Sequence, residues 1–333
     1  MNTLHLVSAA NSRFFSGLLV ALTSALASAS GRYNYEVHVL DGGLSDQELE
    51  LLGRKLELIA AQKGIGVALK RLVPPEALLA RLPIRRGSYL TYARLIVPSI
   101  LDVDRFIYLD SDVLCLAGVE MFWEAFDETS VITAVLDPLK VIRRDHDASK
   151  RLPRSERRSG YFNAGVIGLN AALWRGSAQA AEIDAMMEKA QGFKLGDQTM
   201  LNIVFHKNWR EVPGSGNYVL TIHNCSALAS MDGPANYHYV GPHKPWFDKP
   251  SIFQRHAANT LFDKACEWAG GPVKLQRTVD RLSLDVAIRK SRIYRFFQPG
   301  RAREYAGAVA SVENAEAIAT RIWSDYGFKP LPE

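Results

Sequence analysis

Over its first 130 or so positions the chain alternates short apolar runs with segments of helical period, the pattern of a mostly parallel α/β sheet. Thr3–Val7 reads as a strand. Phe14, Leu18, Leu19, Leu22 and Leu26 fall at helical spacing and predict a helix over Phe14–Ser28. Tyr35–Leu40 predicts a second strand, ending at Asp41-Gly42-Gly43. Ser45 and Glu48 have the spacing of a capping box that opens a helix running to about Lys63. Val67–Leu72 predicts a third strand, Tyr89–Pro98 a helix, Arg105–Leu109 a strand, and Val131–Leu136 another strand that stops at Asp137-Pro138. Arg13 and the apolar run to Leu22, followed by Ala27-Ser28-Ala29, imitate a secretory leader. A strand in front and helical spacing within are better explained as strand, turn and core helix. No run reaches the ~20 uninterrupted apolar residues of a membrane span.

The pattern changes at residues 140–160, where Arg143, Arg144, Lys150, Arg151, Arg154, Arg157 and Arg158 crowd a stretch with few apolar side chains. It reads as a solvated, mobile loop, with an electrostatic guide for an anionic acceptor as the alternative. Tyr161–Asn170 returns to strand character. A helix containing Ile183, Met186 and Met187 follows, then a helix over Thr199–Phe205, and a loop rich in His, Gly and Pro over Asn236–Pro245. Beyond about residue 250 the chain turns helical and basic, which suggests a catalytic unit over residues 1–250 and a C-terminal segment over 251–333.

Chemistry concentrates where the apolar run Phe106-Ile107-Tyr108-Leu109 ends in Asp110-Ser111-Asp112. In an extended chain alternate side chains share a face, so the two carboxylates point together and repel unless a cation lies between them. A hard divalent ion would relieve that repulsion and offer positions to phosphate oxygens, and the crevice beyond strand ends is where α/β sheets bind ligands. A solvated turn or cap is the bland alternative. The composition, 47% hydrophobic and 23% charged, is that of an ordinary globular protein, and a net charge of +5 favours acidic partners without choosing among them. Cys115, Cys225 and Cys266 are odd in number and have no Cys-x-x-Cys spacing. They argue for a reducing compartment, with neither a disulfide framework nor a structural zinc.

Five segments then occur in order: Tyr92-Ala93-Arg94, Tyr108 to Asp112, Tyr161-Phe162-Asn163-Ala164-Gly165, Gly196-Asp197-Gln198, and His238-Tyr239-Val240-Gly241-Pro242-His243-Lys244-Pro245-Trp246. Over roughly residues 3–250 this resembles the family 8 glycosyltransferases, a retaining group that includes bacterial lipopolysaccharide galactosyl- and glucosyltransferases and is related to glycogenin. The resemblance implies a single GT-A type nucleotide-sugar-binding domain, with a mostly parallel mixed sheet flanked by helices and a small basic helical segment after it. It implies that Asp110, Asp112 and His238 hold Mn²⁺, with Mg²⁺ as a possible substitute, against the diphosphate of UDP-glucose or UDP-galactose. Mixed carboxylate and imidazole ligation suits Mn²⁺ better than Mg²⁺. Gly241 and Lys244 complete the spacing around His238, and Lys244 would stabilise the departing UDP. Arg94 and Asp197, as a charge-assisted pair, would orient the sugar hydroxyls. Asp137 and Asn163 would lie beneath the sugar ring, Ala164 would belong to the same substrate-binding set, and Gln198 would approach the anomeric carbon opposite the leaving group. Ser111, between the two aspartates, would belong to the substrate- or nucleotide-binding set. Retention requires a covalent intermediate or front-face attack. Gln198 is a poor nucleophile and Asp197 would have to swing inward, so front-face attack is the favoured reading and both remain open.

The nucleotide end departs from the family pattern. Ala9-Ala10-Asn11-Ser12-Arg13-Phe14 replaces the usual acidic, amide-rich turn. Asn11 can still bond uracil or ribose, Phe14 can stack on the base or serve as core, and Ala9 would approach the nucleotide. The tail Arg289-Lys290-Ser291-Arg292-Ile293-Tyr294-Arg295-Phe296-Phe297 interleaves aromatics with cations, as suits an anionic headgroup layer, unless its aromatics bury against the catalytic unit. The expected acceptor is a glycan or lipid-linked saccharide hydroxyl. The expected place is the cytoplasm, peripheral on the cytoplasmic face of an inner membrane. Two rivals stand beside this. A haloacid dehalogenase-type phosphatase would use Asp110 and Asp112 but wants an acid where Leu201 stands. A basic membrane adaptor would use residues 140–158 and 289–303. No helix-turn-helix, zinc or RNA-recognition signature points to nucleic acid.

Overall fold

β1 (Thr3–Ala10) is buried almost throughout because it lies inside the sheet, with parallel partners on both sides. The computed structural model describes residues 1–85, 88–187, 193–221, 225–247, 256–272 and 281–331. Around β1 stand β2 (Asn34–Asp41), β3 (Val67–Leu72) and β4 (Arg105–Leu109), then β5 (Val113–Cys115) beyond the Asp-Ser-Asp turn, β6 (Ile132–Val141), β7 (Gly160–Asn170), β8 (Trp209–Glu211), β9 (Tyr218–Val219) and β10 (Asn236–His238). Among the described residues seven of these form one sheet in the order β3-β2-β1-β4-β7-β6-β8, and a small second sheet runs β5-β10-β9. The large sheet is mixed: β7 runs antiparallel to both β4 and β6, while its other pairings are parallel. This is the α/β architecture expected from the sequence.

The helix Phe15–Ala27 is a core element, buried along most of its length. Its two buried hydroxyls return to its own backbone, Thr23 Oγ1 to Leu19 O at 2.6 Å and Ser24 Oγ to Val20 O at 2.5 Å. Ser24 Oγ also accepts from Cys115 N at 2.9 Å, which ties this helix to β5. The capping box is present: Ser45 accepts from Glu48 N–H while the Glu48 carboxylate reaches back, and the helix Asp46–Lys63 ends at Gly64 in the left-handed conformation.

Three expectations from the sequence are corrected. The strand expected to stop at Leu136 continues to Val141 with irregular register on either side of Leu136, so Asp137-Pro138 lies within β6 and does not close it. Residues 140–160 are not a free loop. A 3₁₀ turn, Ile142–Arg144, and a helix, His146–Arg151, bury Ile142, Ala148 and Leu152 in the main core. Asp145 anchors this segment by capping that helix and accepting from Tyr161 Oη at 2.7 Å and Thr199 Oγ1 at 2.6 Å. Finally, Asn236–His238, expected as the start of a loop, is a buried strand paired with β5 and β9. Polar character misled at Asn236, whose side chain works on backbone groups: Oδ1 accepts from Ala117 N and Nδ2 donates to Gly216 O.

The boundary expected near residue 250 lies outside the described residues. Beyond it the helices His256–Trp268 and Ala315–Tyr326 pack with β10 residues in one apolar cluster. The helices Arg281–Phe297 and Pro299–Glu313 pack against each other through Ala287, Ala308 and neighbours. Burial of the tail aromatics against the catalytic unit is not what this arrangement shows: Tyr294 stacks on Tyr305, and Phe296 and Phe297 are each 82% exposed.

Candidate active site

β4 delivers Asp110, and two backbone bonds fix the turn that follows. Asp110 N–H donates to Gly165 O on β7 at 2.7 Å, and Tyr239 N–H donates to Asp112 O at 2.8 Å. β10 lies antiparallel to β5 with His238 opposite Val113, so strand pairing carries the imidazole to the residue next to Asp112. His238 Nε2 stands 3.2 Å from Asp112 Oδ1 and 3.8 Å from Asp110 Oδ2. The three side chains that had to converge from distant sequence positions do so.

Gly165 makes room for that ring. A Cβ at this position would fall inside the His238 imidazole, so only glycine fits here on β7. Gly17 plays a similar part on the first helix, where a Cβ would strike Trp246 and the Ser111 carbonyl.

The ring's orientation follows from a hydrogen-bond chain of definite polarity. The Asp137 carboxylate accepts from Asn163 Nδ2 at 2.8 Å, which turns Asn163 Oδ1 toward Gly165 N–H at 2.9 Å and Asn217 Nδ2 at 2.8 Å. Asn217 Oδ1 is thereby left to face His238 Nδ1 at 3.1 Å, so Nδ1 carries a proton and donates. Nε2 then presents its lone pair to the two carboxylates. Asp112 Oδ1 is buried, has no hydrogen-bond partner among the described residues, and stands 3.2 Å from it. Lone pairs in contact at a buried site need a shared cation, and two carboxylates with one imidazole suit a divalent ion. The residues fit the metal.

Electrostatics divides the two acids. Burial pushes the Asp110 carboxyl up to about 6; Arg94 pulls against that rise and Asp112 adds to it. Burial also acts on Asp112, but the Lys244 ammonium outweighs it and holds the group well below the usual carboxylate range. Lys244 Nζ is paired with Asp112 Oδ2 and donates to Tyr239 O at 2.7 Å. Arg94 is buried beneath the cavity. It lies over the Tyr108 ring at 4.5 Å, bonds the Ala164 carbonyl, and pairs with Asp110 at 2.6 Å and Asp197 at 2.7 Å.

These groups line one cavity of about 410 Å³ together with Ala9, Asn11, Phe14, Ser111, Asn163, Ala164, Gln198 and Gly241. Gln198 is held at both ends: Oε1 accepts from Ala164 N–H at 3.0 Å and Nε2 donates to Asp137 Oδ2 at 3.2 Å. Asp137 is the exception among the expected residues. It does not line the cavity, and its carboxylate instead anchors Asn163 and Gln198 from behind. At the far end Asn11 Oδ1 is buried without a partner among the described residues. The Phe14 ring packs edge-on against Trp246 and Phe247, and Arg13, the departure from the family pattern, lies over Phe247 at 4.6 Å. Trp246 packs the loop down onto the helix Phe15–Ala27.

Asn217 and Phe247 escaped the sequence reading. Asn217 precedes a two-residue strand with no distinctive spacing, so only the fold reveals that it orients His238.

Comparison with known proteins shows the family and the fold. The family model described as glycosyl transferase family 8 matches residues 5–249. The chain is 28% identical over 203 residues to the lipopolysaccharide 1,3-galactosyltransferase of Salmonella typhimurium, covering 58% of this chain and 59% of that protein. It is 24% identical over 248 residues to the lipopolysaccharide 1,2-glucosyltransferase of Escherichia coli K12, covering 71% and 70%. Glycosyltransferase GlyB of Streptococcus pneumoniae is 22% identical over 260 residues, covering 74% of this chain and 58% of GlyB. The chain thus spans little more than half the length of GlyB and of the galactosyltransferase. Among solved structures, galactosyltransferase LgtC in complex with donor and acceptor sugar analogs superposes with a TM-score of 0.61 at 23% identity, over 80% of this chain and 99% of that one, a likeness of fold.

Proposed function

The chain belongs to glycosyltransferase family 8, and on that premise we propose that it is a retaining hexosyltransferase. It moves glucose or galactose from a UDP-sugar to a hydroxyl of a glycan or lipid-linked saccharide, with Mn²⁺ as its preferred ion. The observation that carries this reading is the convergence of Asp110, Asp112 and His238 at one end of a cavity whose other groups are Arg94, Asp197 and Gln198. Bound at the three ligands, a divalent cation would neutralise diphosphate charge and so improve the leaving group.

The protein's own groups do the rest. Lys244 stands beside Asp112, where its ammonium answers the charge that grows on departing UDP. Arg94 neutralises Asp110 and Asp197 together and holds the Asp197 carboxylate in place as an acceptor for sugar hydroxyls. Gln198, fixed by Ala164 and Asp137, presents a neutral amide at the cavity wall. An amide held at both ends is a weak nucleophile, and Asp197 could swing inward only by breaking a buried ion pair. Both facts favour front-face attack, with the acceptor proton passing to the departing phosphate oxygen. The phosphatase reading loses its footing at Leu201, which is wholly buried in the helix Asp197–Phe205.

Incubation with UDP-glucose or UDP-galactose and Mn²⁺ is expected to release UDP slowly without acceptor, and Asp112→Asn is expected to abolish the release. Equal release by wild type and Asp112→Asn, or cleavage of a generic phosphomonoester through a phospho-Asp110 intermediate, would refute the assignment.

A further inference from the structure

A second constellation stands at the opposite end of the same strands. His5 on β1 faces Glu36 and His38 on β2, and register places His5 beside Glu36. The donor atoms form a nearly equilateral triangle: His5 Nδ1 to His38 Nε2 is 3.3 Å, His38 Nε2 to Glu36 Oε1 is 3.1 Å, and His5 Nδ1 to Glu36 Oε1 is 3.6 Å. Bonds of about 2.0–2.1 Å around a tetrahedral Zn²⁺ place neighbouring donors about 3.3–3.4 Å apart. We propose that His5, Glu36 and His38 form a second cation site, of the Zn²⁺ class, with three protein ligands and an open fourth position.

Proton accounting points the same way. His38 Nε2 touches both other donor atoms and can carry at most one proton. Whichever contact that proton satisfies, the contact left over is either lone pair against lone pair or a bond stretched to 3.6 Å, too long for a good one. His38 is only 1% exposed, so its Nε2 makes these contacts out of reach of water. One cation satisfies all three donors at once. His5 and Glu36 also line a surface groove that holds Asp102, Asp104 and Glu128, against Arg105, so the approach favours a positive ion. Lys70 shares Glu36 Oε1 at 2.8 Å and is the natural competitor, but its side chain is 53% exposed and free to turn outward.

This site is separate from the candidate active centre. His5 lies four residues before Ala9 on one strand, about 13 Å at 3.3 Å per residue. Two histidines and a glutamate on neighbouring strands contain no cysteine, which is why the cysteine-based expectation of no structural zinc did not reach them. An ion here would clamp β1 to β2 at the end of the sheet away from the active centre.

The test uses full-length protein stripped with chelator and titrated with Zn²⁺ alone by calorimetry. Asp112→Asn is carried throughout to weaken the other site. The Asp112→Asn protein is expected to bind one Zn²⁺ at this site, and Asp112→Asn with His5→Gln to lose it while keeping its melting temperature in chelator. Lys70→Met in the same background is expected to tighten binding about two- to fivefold, the worth of an exposed ion pair removed from competition. Identical Zn²⁺ isotherms with and without His5→Gln, or an affinity indifferent to Lys70→Met, would overturn the proposal.

Discussion

Asn217 shows how a residue with no chemistry of its own can decide a site. It accepts from His238 Nδ1 and donates to Asn163, so it sets which imidazole nitrogen looks at the carboxylates. Removing such a partner usually costs about 10–100-fold in metal affinity. Asn217→Ala is therefore expected to raise the Mn²⁺ concentration needed for half-maximal UDP release by that factor, with little change once Mn²⁺ saturates. An unaltered Mn²⁺ requirement would remove Asn217 from this role. At this scale the sequence was informative where chemistry is concentrated: Asp110, Asp112, His238, Lys244, Arg94, Asp197 and Gln198 all reach one cavity. It was silent on Asn217, and it did not show that the Asp137 carboxylate anchors Asn163 and Gln198. A side chain's reach can be read from its type, but which neighbour it finds depends on strand register.

Among elements, the segment around Asp145 was read least well and repays a test. Its many arginines face outward while Ile142, Ala148 and Leu152 reach the core, too few apolar positions to announce a buried face. Asp145 joins this segment to β7 and to the helix Asp197–Phe205 through the hydroxyls of Tyr161 and Thr199. Asp145→Ala would leave two buried hydroxyls unpaired and one helix uncapped. The expected loss is about 2–4 kcal/mol in urea-induced unfolding. A loss under about 0.5 kcal/mol, the range of ordinary surface changes, would mean that the segment is not anchored there. Helices and strands of strong period, by contrast, were legible to within a few residues. The strand Val67–Leu72 and the helix from Asp46 to Lys63 lie where capping and alternation put them.

For the whole molecule, the exposed apolar side chains Ile293, Phe296 and Phe297 sit among Arg289, Arg292 and Arg295 on the helix Arg281–Phe297. Among the described residues no helix is long and apolar enough to cross a membrane. Aromatics beside cations suit an anionic surface, and we propose that this helix docks on one. Phe296→Ser with Phe297→Ser is expected to cut co-sedimentation with anionic lipid vesicles at least severalfold and to leave UDP release in solution unchanged. Equal sedimentation would sink the docking. Point changes serve better than deleting residues 285–333, because the helix Ala315–Tyr326 within that span belongs to the core around Phe262 and Tyr239.

Local pattern determined the strands, the main helices and the nature of the candidate catalytic groups, because hydrophobic period and side-chain chemistry are properties of neighbouring residues. The tertiary structure alone decided which distant groups meet. β10 had to pair with β5 before His238 could face Asp112, and Gly165 had to lack a side chain before the ring could fit. The register of β1 on β2 likewise set His5 beside Glu36 and His38. Such contacts depend on strand pairing between residues far apart in the chain, and no local period encodes them.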